Sequence, residues 1–228
     1  MEAPTGTAPK SEGPESAGAD APWAHLSPEA RTGIGVERVR ACIEARHLSL
    51  GTAAHAAEDE PADPAGSSAV LVPLFEEAGE VRVVLTRRAA HLRRHPGEVS
   101  FPGGHLDTRE TPEAAALREA AEEVGLDRGS VELIGRLTPI TTFSLGEVIT
   151  PVVGVLTSRP KFLANPSEVQ RVFDVALSEL AAAEVFREER FEVLDKWYPV
   201  FFFDLYGESV YGATARILVE LLRLVLEV

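Results

Sequence analysis

The stretch Gly103-Gly-His-Leu-Asp-Thr-Arg-Glu-Thr-Pro-Glu-Ala-Ala-Ala-Leu-Arg-Glu-Ala-Ala-Glu-Glu-Val-Gly-Leu126 decides the reading of this chain. Both ends of a helix are written into it. Thr111 has the side chain of an N-cap, and Pro112 stands at the first helical position, where its missing N–H costs nothing. Gly125 stands where a left-handed residue closes a helix. The spacing therefore predicts a helix over 112–124. Ala114, Leu117, Ala121 and Val124 form one apolar stripe, expected to pack on a sheet. Glu119, Glu122 and Glu123 stand at i, i+3 and i+4, so their carboxylates are expected on a common side, roughly opposite that stripe. Like charges at these spacings repel by a few tenths of a kcal/mol per pair, roughly. A hard divalent cation reverses the sign of that cost, because Mg²⁺ takes carboxylate oxygens and keeps several waters.

The flanking elements supply a sheet for the helix. Strands are expected at Ala69–Phe75, Val81–Thr86, Val131–Leu137, Val148–Leu156 and Tyr198–Tyr206. The first half of Ser167–Leu180 is ambiguous, and its end reads as a short helix. Gly212–Leu226 is strongly apolar and reads as a buried helix. Strands and helices intermingle without regular alternation, which favours a mixed-sheet α/β (α+β) domain over a doubly wound one. Residues 1–30 are rich in Ala, Pro, Gly, Ser and Glu, with only Trp23 and Leu26 to bury, and read as a disordered or loosely held tail. Val36, Val39 and Ile43 predict a short amphipathic helix to about Arg46, followed by a linker over 51–67.

Composition narrows the function classes. The chain has 228 residues, 45% of them hydrophobic, and a formal net charge of −14. Nonspecific nucleic-acid binding needs a basic face and is not expected. One cysteine, Cys42, excludes an internal disulfide and a Cys-rich zinc site. Neither a membrane span nor a signal pattern is visible, so a cytoplasmic protein is expected. His91, His95 and His105 have no zinc spacing, and Ser100 and Thr108 have no evident His/Asp partners for nucleophilic chemistry.

Counting from Gly104 gives five residues, Glu110, seven residues, Arg118-Glu119, two residues, Glu122-Glu123, one residue, and Gly125-Leu126. This resembles the Nudix pattern G-x5-E-x7-R-E-U-x-E-E-x-G-U, where U is aliphatic and Ala120 is small for its slot. A chance match at seven fixed positions is on the order of one in 10⁸ per starting point. The resemblance implies a mixed sheet in an α/β/α sandwich with a loop–helix–loop at the site. It implies Glu119 and Glu123 as core ligands of Mg²⁺ or Mn²⁺, joined by a backbone carbonyl at Gly103 or Gly104. Glu122 is then a third ligand or the base for the attacking water, and Arg118 and Glu110 pair to hold the carboxylates.

Five arginines, Arg82, Arg87, Arg88, Arg93 and Arg94, stand between Val81 and Gly97 with no acid among them. A cationic island beside an anionic metal motif suits a polyphosphorylated ligand. The run Leu85–Gly104 is similar to the extra signature of the coenzyme A pyrophosphatase branch of that family, with Val84 in place of one leucine. Asn165–Val169 and Val210–Ala215 look like later segments of the same branch, so the resemblance covers about residues 69–226. The expected organisation is a tail over 1–30, a helix and linker over 31–68, and a Nudix domain over 69–228. The branch implies cleavage of coenzyme A or acyl-CoA, with Arg87, Arg88, Arg93, Arg94 and His95 on the substrate and Glu168 as a late carboxylate near the metal. Another nucleoside diphosphate derivative or a nucleoside triphosphate, or a noncatalytic nucleotide-sensing domain, stay open as alternatives. The residues do not fix the oligomeric state, and a homodimer is compatible with them.

Overall fold

The computed structural model describes residues 19–54, 67–142, 146–193 and 196–228. In chain order the elements are α1 (Val36–Ala54), β1 (Ser67–Glu77), β2 (Glu80–Arg88), β3 (Val99–Ser100), β4 (Gly103–His105), α2 (Pro112–Val124), β5 (Val131–Arg136), β6 (Ile140–Thr141), β7 (Val148–Leu156), β8 (Val169–Ala176), α3 (Leu177–Leu180), β9 (Phe186–Val193), β10 (Lys196–Leu205), β11 (Glu208–Tyr211) and α4 (Gly212–Leu226). The main sheet runs β3-β2-β1-β7-β5, with β4 on β1, β6 on β7 and β8 on β2. Its β1–β7 pair is parallel and the other pairs are antiparallel, so the sheet is mixed. A second antiparallel sheet has the order β11-β10-β9.

β1 is central, and its apolar run is buried on both faces. Pro73 survives there because β1 changes neighbour, pairing with β4 through residue 70 and with β2 from residue 74. The Leu71 N–H donates to the Pro102 carbonyl on that side. Alternate residues aim their N–H groups the same way, so the missing donor of Pro73 falls in the gap between β4 and β2.

Two apolar clusters flank the sheet. On one face Ala115, Ala116, Ala120 and Val124 of α2 pack with Leu71, Phe75, Val84 and Val152. On the other, α1, α4 and the second sheet cover Val72, Leu74, Val83, Leu85 and Val153. α2 and α4 therefore lie on opposite faces.

Three expectations change. Within the expected tail, residues 1–18 lie outside the described residues, and the segment 19–30 is anchored at Trp23 rather than loose. Trp23 is fully buried and lies 5.4 Å from Phe186 and 6.3 Å from Phe203 between ring centroids. One large aromatic side chain buries enough surface to hold a polar segment in place. α1 runs on to Ala54, past the expected end at Arg46; the rest of the expected linker, 55–66, lies outside the described residues. The sheet-facing stripe of α2 is also rotated, because Ala114 is exposed while Ala116, Ala120 and Val124 are buried. Alanine at 115, 116 and 120 lets the helix approach β1 closely, so the smallest side chains set the contact face.

Candidate active site

α2 begins and ends as its caps dictate. The Ala114 N–H donates to Thr111 Oγ1 at 3.3 Å, and Gly125 adopts φ 66° with its N–H directed to the Ala120 and Ala121 carbonyls. The rotation of α2 separates the three glutamates. The Glu122 side chain is 56% exposed, Glu119 is 16% exposed, and Glu123 is only 4% exposed, on the sheet side. They do not share one solvated face.

Glycines bring β4 against these carboxylates. A Cβ on Gly103 would lie 2.4 Å from the Ala69 carbonyl, and one on Gly104 would lie 2.5 Å from Glu119 Oε1. The Gly103 N–H donates to Glu123 Oε2 at 3.1 Å. Burial pushes the Glu123 carboxyl up to about 7; the Gly103 hydrogen bond and Arg88 oppose this, and Glu119 and Glu168 add to it. Arg88 Nη1 is 3.9 Å away.

Arg118 organises the other side. Its Nε and Nη2 grip Glu110 at 3.0 and 2.9 Å, Nη1 donates to Glu119 Oε1 at 2.8 Å, and Nη2 also donates to the His105 carbonyl at 3.0 Å. This grip holds the Glu110 carboxyl below its ordinary value and raises that of the Arg118 guanidinium. The loop carrying Glu168 is tied to the end of α2, since the Asn165 N–H donates to the Glu123 carbonyl and the Leu163 N–H to that of Val124.

Among the described residues no three of His, Cys, Asp and Glu converge as a metal-enclosing group. The donor chemistry nevertheless fits a hard cation. Glu123 is a buried carboxylate facing two other acids, with one backbone donor and one distant guanidinium. An ion that keeps several waters needs only the Glu119–Glu123 side of such a set.

These residues line a cavity of about 760 Å³, together with Arg88, Arg94, His95, Gly103, Gly104 and Glu168. Arg87 and Arg93 are not among the lining residues. Arg87 Nη1 donates to the buried Glu208 at 2.9 Å, shared with Arg171, and Arg93 is exposed. Neighbours on a strand point to opposite faces, so Arg87 and Arg88 part company. Glu110 and Glu122 also lie outside the lining, behind and beside it.

Sequence reasoning gave no role to the rest of the lining. Beside the motif, His105, whose carbonyl meets Arg118, has Nε2 3.2 Å from Glu147 Oε1, which also accepts from Ser68 Oγ. Ile140, Ile149, Phe201, Tyr211, Arg216 and Ile217 complete it. Burial, with Glu98 beside it, raises the Tyr211 phenol. Only the segment Val210–Ala215 hinted at this part of the cavity in the sequence.

A family profile for the NUDIX domain matches residues 66–200. "Nudix hydrolase 22, chloroplastic" of Arabidopsis thaliana is 40% identical over 161 residues, 67% of this chain and 53% of that protein. "Uncharacterized Nudix hydrolase NudL" of Enterobacter sp. (strain 638) is 39% identical over 169 residues, 68% of this chain and 80% of the relative. The match thus spans about half the length of the plant relative and most of the bacterial one. A solved MutT/nudix family protein from Enterococcus faecalis superposes with a TM-score of 0.46 at 16% identity, covering 76% of this chain and 66% of the other. No described helix is long and apolar enough to cross a membrane. The matched residues include the whole glutamate motif and the sheet that carries it, and the chain belongs to the Nudix family.

Proposed function

We propose that this protein hydrolyses the diphosphate bond of coenzyme A or acyl-CoA, giving 3′,5′-ADP and 4′-phosphopantetheine or its acyl form. One observation carries the reading. A single cavity of about 760 Å³ sets Glu119, Glu123, Arg88 and Arg94 against an apolar wall of Ile140, Ile149, Phe201 and Ile217. That volume and mixture suit a ligand with an anionic linkage and a large organic body. The run Leu85–Gly104, similar to the coenzyme A branch signature, supports the same substrate.

In this reading Glu119 and Glu123 would hold Mg²⁺ or Mn²⁺, helped by Glu168 and the Gly103 carbonyl. When bound, such an ion lowers the pKa of a coordinated water and offsets diphosphate charge. Arg88 and Arg94 grip the diphosphate oxygens, and His95, held by Glu98 at 2.9 Å, donates at the cavity mouth. Glu110 and Arg118 fix Glu119 and do not touch substrate. The exposed Glu122 carboxylate takes the proton from the attacking water. The water oxygen bonds to one phosphorus, and the bridging oxygen leaves with the other phosphate. We assign the reaction to the cytoplasm, a reducing compartment with which a single cysteine, Cys42, is compatible.

Purified protein with coenzyme A and Mg²⁺ should release 3′,5′-ADP, resolved by ion-pair chromatography. Turnover of nucleotide sugars or dinucleotides without turnover of coenzyme A or its thioesters overturns the substrate assignment.

A further inference from the structure

We propose that Arg216 binds a phosphate monoester that the substrate carries outside its scissile diphosphate, the 3′-phosphate of coenzyme A in the function proposed above, on which this inference rests. Arg216 is exposed, lines the cavity, and makes no ion pair or hydrogen bond with the described residues. Its helical partner at i+4, Glu220, is already engaged, accepting from Thr138 Oγ1 at 2.7 Å and paired with Arg46 at 2.5 Å. The residue at i−4 is Gly212, and the first turn of α4 has no acid and no side-chain cap.

Folding gives no reason for a cation there. Arg216 stands past the first turn of α4, so the helix macrodipole gives it no stabilising role either. Other arginines with local structural duties show them plainly: Arg82 pairs with Asp174, Arg87 with Glu208, Arg118 with Glu110 and Arg136 with Glu113. In a chain of net charge −14, an unpaired guanidinium on a cavity wall is placed for an anion from outside.

The position separates that anion from the diphosphate. Arg88 lies 3.9 Å from Glu123 of the glutamate motif, whereas Arg216 comes from α4, which packs on the other face of the sheet from α2. Thr214 beside it is occupied, donating its Oγ1 proton to the Val99 carbonyl. The guanidinium therefore supplies the recognition, and its planar fork matches a terminal phosphate with charge near −2.

The test compares binding and turnover in the full chain. Calorimetry on the wild type should show adenosine 3′,5′-bisphosphate binding about tenfold or more tighter than AMP. Arg216→Met keeps the apolar stem and should close that gap to within about threefold. Arg216→Gln is measured beside it so that the result does not depend on one variant, and thermal melts verify that both are folded. The wild-type ratio of kcat/KM for coenzyme A over dephospho-coenzyme A should collapse in the same way. A gap unchanged in both variants, or absent in the wild type, overturns the role of Arg216. Failure to cleave coenzyme A at all overturns the function proposed above instead, and the calorimetry still decides on the phosphate site.

Discussion

The charged groups that line the cavity fall into two kinds, those already partnered and those left open. Around Arg118 the groups are mutually satisfied: it directs its donors to Glu110, Glu119 and the His105 carbonyl. Facing the open space, Arg88 has a carboxylate only at 3.9 Å, and Arg216 has no partner among the described residues. Partnered groups hold geometry, and unpartnered ones are left for ligand. The contrast teaches that counting arginines near a motif does not identify the substrate contacts; their existing partners must be subtracted first.

That distinction can be broken by mutation. The largest effect should come from Glu119→Gln and Glu123→Gln, each lowering kcat about 1,000-fold, roughly 4 kcal/mol of barrier, under saturating Mg²⁺. Chelation of the wild type should abolish turnover and added Mg²⁺ should restore it; activity that persists in excess EDTA removes the metal from the account. Next comes Arg118→Lys. An ammonium cannot grip Glu110 through two nitrogens, and loss of such an outer contact costs about 10- to 100-fold in activity or metal affinity. A variant with wild-type kinetics would show that the Arg118 network is ornamental.

A pair of neighbouring tests sharpens the comparison. Arg94→Ala should raise KM about tenfold with little change in melting temperature. Arg87→Ala should leave KM within about twofold but destabilise by about 1–3 kcal/mol, because Glu208 is buried and keeps only Arg171. Swapped outcomes would reverse the roles of these two arginines.

A further prediction concerns pH and needs no change of substrate. The Glu123 carboxyl is raised to about 7 in the metal-free fold, against 4.5 unperturbed. A raised carboxyl contributes stability that is present below pH 4.5 and lost as pH rises through 7. The loss is roughly 3 kcal/mol in scale, which corresponds to several degrees of melting temperature. Melts in chelator at pH 5 and pH 8 should therefore fall more for the wild type than for Glu123→Gln. Equal pH dependence in the two would place the uncompensated charge elsewhere.

How much of this was legible in the sequence varies by element. The bounds of α2 and α4 coincide with the expected 112–124 and 212–226, and β7 with 148–156. Each has strong local signals: a cap and a glycine, a dense apolar helix, a run of β-branched residues. β9 was not anticipated, because Phe186-Arg-Glu-Glu-Arg-Phe-Glu-Val193 is mostly charged and becomes a strand through pairing with β10. The anchoring of residues 19–30 escapes the sequence for a related reason, since composition averages over a segment while the buried Trp23 holds it.

What the sequence determined by itself was the family, the helix carrying the glutamates and the acid–arginine spacing, because all of these are fixed by intervals along one stretch of chain. The tertiary structure decided the rest. It chose Glu123 as the buried carboxylate by rotating α2 onto its alanines, and it sent Arg87 to Glu208 and Arg88 to the cavity. It also brought Arg216 of α4, from the other face of the sheet, to line the same cavity. Burial and charge pairing depend on which distant strand or helix arrives alongside, and no interval within a single segment encodes that arrival.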